Sequence, residues 1–114
     1  MYPRKLTIDD IEALALGAWI LGTGGGGSPY HRLLNMRELY RAGHEVTLID
    51  PMSLANDALV AVLSNMGAPL VGQERLSDPA FATKPVRTME RYLGRTFDAV
   101  MPLEIGGGNG VHPL

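Results

Sequence analysis

Cysteine is absent from the 114 residues. That excludes disulfides, thiolate metal ligands and a thiol nucleophile. Aromatic residues are few at 6%, with Trp19 the one tryptophan; it is expected to pack the first helix, and the six methionines to fill the core. Basic residues do not outnumber acidic ones: ten Lys and Arg face twelve Asp and Glu, for a formal charge of −2. No basic face for nucleic acid is therefore expected. No run approaches the ~20 apolar residues that span a bilayer. Residues 1–10 carry both charge signs without an apolar centre, unlike a signal peptide. These absences predict a cytoplasmic protein that engages neither membrane nor nucleic acid. No HExxH and no histidine pair at helical ligand spacing occurs, and no Ser-His-Asp order stands out.

Glycine, by contrast, is abundant, with 14 residues. Gly24, Gly25, Gly26 and Gly27 follow one another within Leu21-Gly22-Thr23-Gly24-Gly25-Gly26-Gly27-Ser28-Pro29-Tyr30. Such a run costs chain entropy unless the backbone needs unusual angles or close approach. Ser28 as N-cap and Pro29 at the first helical position read as a helix start. Open N–H groups beside a helix N-terminus suit an anion or a carbonyl oxygen. A second loop, Glu104-Ile105-Gly106-Gly107-Gly108-Asn109-Gly110, lies near the end of the chain.

The elements alternate. Thr7 and Asp10 resemble a capping box, and apolar residues at helical spacing predict a helix over 8–21. A second helix is predicted over 29–42, stopped by Gly43. Strands are predicted over 45–49, 59–63 and 97–103, and a third helix over 85–93, stopped by Gly94. The pattern predicts one three-layer α/β domain with a mostly parallel sheet and flanking helices. Ligand sites in such sheets lie beyond the carboxyl ends of the strands. Asp50, residues 65–69 and residues 104–109 all follow predicted strands, so they are expected at one edge.

Gly22, Gly24 and Gly27 fit G-x-G-x-x-G, and Asp50 follows the next strand, as in a dinucleotide fingerprint. That fingerprint requires a strand before the glycines, where this sequence predicts a helix. A phosphate loop is excluded because no Lys-Ser or Lys-Thr follows the run. Three readings of the glycines remain: a dinucleotide-binding loop, which predicts a strand before Gly22, a connection where two backbones touch, or a loop that contacts substrate.

Glu104, at a strand end beside glycines, is the candidate acid or base; the competing reading is a carboxylate that bonds its own loop. Asp50 is a second catalytic candidate or an Asx-turn residue. Asn109 and Arg32 are substrate-binding candidates, together with Gly24, Gly25, Gly26 and Gly27. Arg32 would hold an anionic group. No organic cofactor is predicted; a divalent metal would draw on His31, Asp50, Glu104 or His112.

Taken in order, the glycine run, Leu48-Ile49-Asp50-Pro51, Met66-Gly67-Ala68-Pro69, Met89-Glu90-Arg91-Tyr92-Leu93-Gly94 and Glu104-Ile105-Gly106-Gly107-Gly108-Asn109 resemble the N-terminal domain of the S-methyl-thiohydantoin desulfurase family. The resemblance covers nearly the whole chain. It implies an α/β N-terminal domain, here residues 1–114, followed by a β-rich C-terminal domain that this chain lacks. It also implies hydrolytic release of methanethiol from a small ring, in hydantoin metabolism. The glycine run, Glu104 and Asn109 match the family motifs. Gly110-Val111-His112 departs from the Ser and apolar residue common at that point. The expected partners are a small-molecule substrate, the C-terminal domain and further copies of the chain. The competing reading is a non-catalytic ligand-binding or assembly domain.

Overall fold

The computed structural model describes residues 2–68, 70–75 and 78–114. Met1 and Pro69, which belong to sequence segments discussed above, lie outside the described residues.

Strand β1 (Arg4–Lys5) pairs antiparallel with β2 (Thr47–Leu48), Arg4 opposite Leu48. Helix α1 (Ile8–Gly22) starts where the sequence predicts it. Thr7 accepts the Asp10 N–H, and Asp10 reaches back to the Thr7 N–H at 2.8 Å, a complete capping box. Such caps are worth about 1 kcal/mol. The helix ends at Thr23, which adopts a left-handed conformation with φ 48°.

Helix α2 (Tyr30–Arg41) begins one residue later than predicted. Pro29, not Ser28, is its N-cap residue; the Ser28 hydroxyl instead accepts the Tyr30 N–H at 3.2 Å in a short turn ahead of the helix. Arg37 grips the Glu12 carboxylate through Nε (3.0 Å) and Nη2 (2.7 Å), tying α2 to α1. The Tyr40 hydroxyl donates to the Leu6 carbonyl at 2.9 Å and so anchors α2 beside the β1–β2 ribbon.

Strand β3 (Val60–Leu63) pairs parallel with β4 (Ala99–Pro102), Val60 opposite Ala99. Between them lie a short helix, α3 (Val71–Glu74), and α4 (Thr83–Leu93), which ends at left-handed Gly94. Asp98 extends the pairing: its N–H donates to the Leu59 carbonyl, and its carboxylate accepts the Leu59 N–H.

One mostly parallel sheet was expected. The described residues hold two separate two-stranded sheets, only one of them parallel. The connections explain the difference. A parallel pair needs a long crossover, usually helical, and α3 and α4 supply one between β3 and β4. Between β2 and β3 the regular structure is a single 3-10 turn, Pro51–Ser53. Strand β2 therefore pairs with β1, a strand the sequence did not announce, and the predicted 45–49 strand shrinks to two residues.

The core is small and lies under α1. Ile11, Ala15 and Ala18 form its buried face. Ala15 and Ala18 contact Val111, with Leu33 and Leu114 packed around them. Trp19, expected to pack the first helix, is 54% exposed. Of the methionines, Met36 is buried, whereas Met52, Met66, Met89 and Met101 are exposed.

Candidate functional site

The two glycine loops meet. At the end of α1, Gly107 donates its N–H to the Ala18 carbonyl at 2.7 Å; farther along, the Gly108 N–H reaches Gly27 O at 2.8 Å and the Asn109 N–H reaches Gly26 O at 3.3 Å. The loops are thus stitched backbone to backbone, and Gly106, Gly107 and Gly108 are buried. A Cβ on Gly22 would stand 2.6 Å from the Gly107 nitrogen, and one on Gly106 would stand 2.7 Å from the Gly22 Cα. Only glycine, which has no Cβ, permits this contact at positions 22 and 106. The small face of α1, Ala15 and Ala18, permits the same approach from below.

Within the first loop the glycines differ. The Gly25 N–H is taken by the Gly22 carbonyl at 2.7 Å. Gly26 lies against Gly106 and the Glu104 carboxylate, whose Oε1 would be 3.3 Å from a Cβ there. Gly24 and Gly27 face open space.

Glu104 leaves the end of β4, and its Oε1 accepts Asn109 Nδ2 at 2.7 Å. Asn109 is 6% exposed. Its amide also pairs with the main chain of Asn65, just beyond β3: Oδ1 accepts the Asn65 N–H at 2.9 Å and Nδ2 donates to the Asn65 carbonyl at 3.0 Å. The ends of β3 and β4, Glu104, Asn109 and Gly26 are therefore gathered at one edge, as the strand-end argument anticipates.

Asp50 is not linked to this group by any hydrogen bond among the described residues. Its carboxylate accepts the Met52 N–H at 2.9 Å and caps the 3-10 turn.

A family model described as S-Me-THD-like, N-terminal domain, matches residues 9–114. The chain belongs to this family. No curated protein and no solved structure matches it. The S-Me-THD-like match spans both glycine loops, Glu104 and Asn109, and begins after β1.

The strand that a dinucleotide fingerprint needs before Gly22 is replaced in this S-Me-THD-like domain by α1. Among the described residues, no three of His, Asp and Glu are placed to share a metal ion. His31 is exposed and meets the Tyr30 ring edge-on, 5.9 Å between centroids. His112 is buried, with its ring 6.3 Å from that of Phe81. Burial pushes the His112 imidazole below its ordinary pKa, and the Arg32 cation pushes it the same way. Arg32 is half-buried, which also lowers its own pKa, and it has no carboxylate within ion-pair distance among the described residues. An open hollow on α4, lined by Arg87, Glu90, Arg91, Gly94, Arg95 and Thr96, includes none of the predicted site residues.

Asn65 stands at the edge where the strand-end argument places residues 65–69, whereas sequence reasoning missed that Ala18 joins the second glycine loop through its main chain. The available signal for Ala18 was the pair of small residues at 15 and 18, about one turn of helix apart. No helix among the described residues is long and apolar enough to cross a membrane.

Proposed function

We propose that this domain forms part of a hydrolase acting on a small cyclic amide or S-methyl-thiohydantoin-like ring, at the edge where the two glycine loops and Glu104 meet. The observation that carries this reading is the Glu104 carboxylate, held through one oxygen by Asn109 beside Gly26. Family membership supplies the substrate class.

In the reaction, water attacks the ring carbon that bears sulfur. A C–O bond forms, the C–S bond breaks, and the thiolate leaves as methanethiol. Glu104 takes a proton from the attacking water and returns it to the departing sulfur, so protons balance. Negative charge that develops on the ring during attack is stabilised by the main-chain N–H groups of Gly24 and Gly27, neither of which donates a hydrogen bond among the described residues. Single donors of this kind are worth roughly 3 kcal/mol. Arg32 and Asp50 make no hydrogen bond to Glu104 or Asn109 among the described residues and take no step here. A β-rich C-terminal domain and further copies of the chain complete the enzyme.

A second reading rests on a separate observation. Leu16, Trp19 and Ile20 of α1, and Leu103 and Ile105 beside the second glycine loop, are all exposed. Apolar surface of this extent favours an assembly domain that buries these side chains against another polypeptide.

The test is thiol release. The chain has no cysteine, so a chromogenic thiol reagent reads only product. The protein supplied with an S-methyl-thiohydantoin should release thiol, and Glu104→Gln should lower the rate by about a hundredfold or more, the usual share of a positioned acid–base group. Absence of both thiol release and ring opening when this domain is joined to its C-terminal domain refutes the hydrolase reading and leaves the assembly reading.

A further inference from the structure

Asn109 reads from the sequence either as a group that fixes its loop through the side chain or as one that contacts substrate. Its surroundings leave no donor for substrate. A primary amide has two N–H donors and one carbonyl acceptor. Both donors are used, one on Glu104 Oε1 at 2.7 Å and one on the Asn65 carbonyl at 3.0 Å, and the acceptor takes the Asn65 N–H at 2.9 Å. The side chain is also buried. The network fixes the orientation of the amide. Turned over, its oxygen would face both a carboxylate and a carbonyl, and its nitrogen would face an N–H.

We infer that Asn109 is a positioning residue: it bolts the Glu104 carboxylate to the end of β3 and to the glycine loops, and leaves Oε2 as the oxygen that exchanges protons with substrate. The inference rests on the reading of Glu104 as the proton carrier. Three parts of the chain converge on this one residue, two on its side-chain amide and one on its main-chain N–H. Asn65 follows β3, Glu104 follows β4, and the Asn109 N–H reaches Gly26 O in the first loop. A carboxylate on a loop would otherwise sample several rotamers, and each loose rotamer takes the proton carrier out of line.

Three measurements decide the matter. Asn109→Asp keeps the shape but sets an oxygen against the Glu104 carboxylate. A hydrogen bond to a charged group is lost, so kcat should fall roughly ten- to hundredfold while KM stays within about twofold. A substrate ligand would instead raise KM, and an unchanged kcat would overturn the positioning role. Glu104→Gln separates the two ideas, because Gln still offers Asn109 an acceptor. Loss of kcat in Glu104→Gln with none in Asn109→Asp refutes positioning alone, whereas full activity of Glu104→Gln refutes the proton-carrier reading. Without turnover, NMR of the native protein tests the clamp directly. The Asn109 side-chain amide protons should exchange with solvent at least tenfold more slowly than those of a free asparagine, and exchange at the free rate overturns the clamp even if every variant unfolds.

Discussion

Replacing glycine by alanine at three positions turns the loop contact into a measurable energy. At Gly107 the backbone has φ +65°, and an added Cβ would stand 2.6 Å from the Gly26 carbonyl carbon and 2.7 Å from its Cα. These are main-chain atoms, which cannot rotate aside as a side chain would. A left-handed alanine costs roughly 1–2 kcal/mol, and forced overpacking adds about 1–3 kcal/mol. Disturbing the Gly107 N–H bond to Ala18 contributes about 1 kcal/mol more. The expected loss for Gly107→Ala is thus about 3–6 kcal/mol, a large part of the roughly 5–15 kcal/mol that holds such a domain together. Gly43 has φ +88° but nothing within 4 Å of its Cβ position, so Gly43→Ala should cost only the strain, about 1–2 kcal/mol. Gly17 lies inside α1 with open space around it, so Gly17→Ala should stabilise by about 0.5–1 kcal/mol. Urea unfolding gives the three values. In a thermal scan the Gly107 variant should melt roughly 10–20 °C lower. If Gly107→Ala costs no more than Gly43→Ala, the two loops do not touch in the way described.

Two further outcomes are expected of stability. His112 is held below its ordinary pKa of 6.5, first by burial and then by Arg32. The unfolded chain therefore binds this proton first, and folding free energy should fall as pH drops below about 6.5. His112→Gln should flatten the stability profile between about pH 7 and 5, and an unchanged slope in urea titrations across that range counts against the buried imidazole. Asp10, Glu90 and Asp98 also have lowered pKa values, set first by accepted backbone N–H bonds; their contribution is present above their ordinary values and is lost only at more acidic pH. Thr7→Ala removes the α1 cap and should cost about 1 kcal/mol in the same unfolding assay, whereas a null effect would mean that the capping box contributes nothing.

Much of the fold is legible locally. The Thr7–Asp10 box, the αL stop at Gly94 and the apolar run of β3 are each set by short-range rules of capping, glycine conformation and β-propensity, and each stands where those rules put it. The sheet is less legible. Residues 45–49 satisfy every strand criterion, yet which strand they pair with depends on crossover length and on Arg4 and Lys5, two charged residues with no strand signal of their own. Trp19 illustrates the same limit: helical spacing places it on α1, but only the arrival of the second glycine loop at Ala15 and Ala18 settles which side of the helix is inside. For the site, the expected gathering of strand ends is present for Asn65, Glu104 and Asn109. Asp50, by the same argument an equal member, is spent on its own 3-10 turn because an Asx residue before proline finds its partner two residues away.

By itself the sequence determined the three longer helices, the Thr7–Asp10 box of α1 and the Gly94 stop, the absence of thiol chemistry and the presence of two loops stripped of side chains, because these follow from residue type and short spacing. Tertiary structure decided what the glycines are for at each position: Gly22, Gly106 and Gly107 let two backbones touch, while Gly24 and Gly27 remain open. A missing Cβ has the same appearance in a sequence whether a neighbouring chain or empty space lies beyond it, and only the packing of residues some eighty positions apart distinguishes the two.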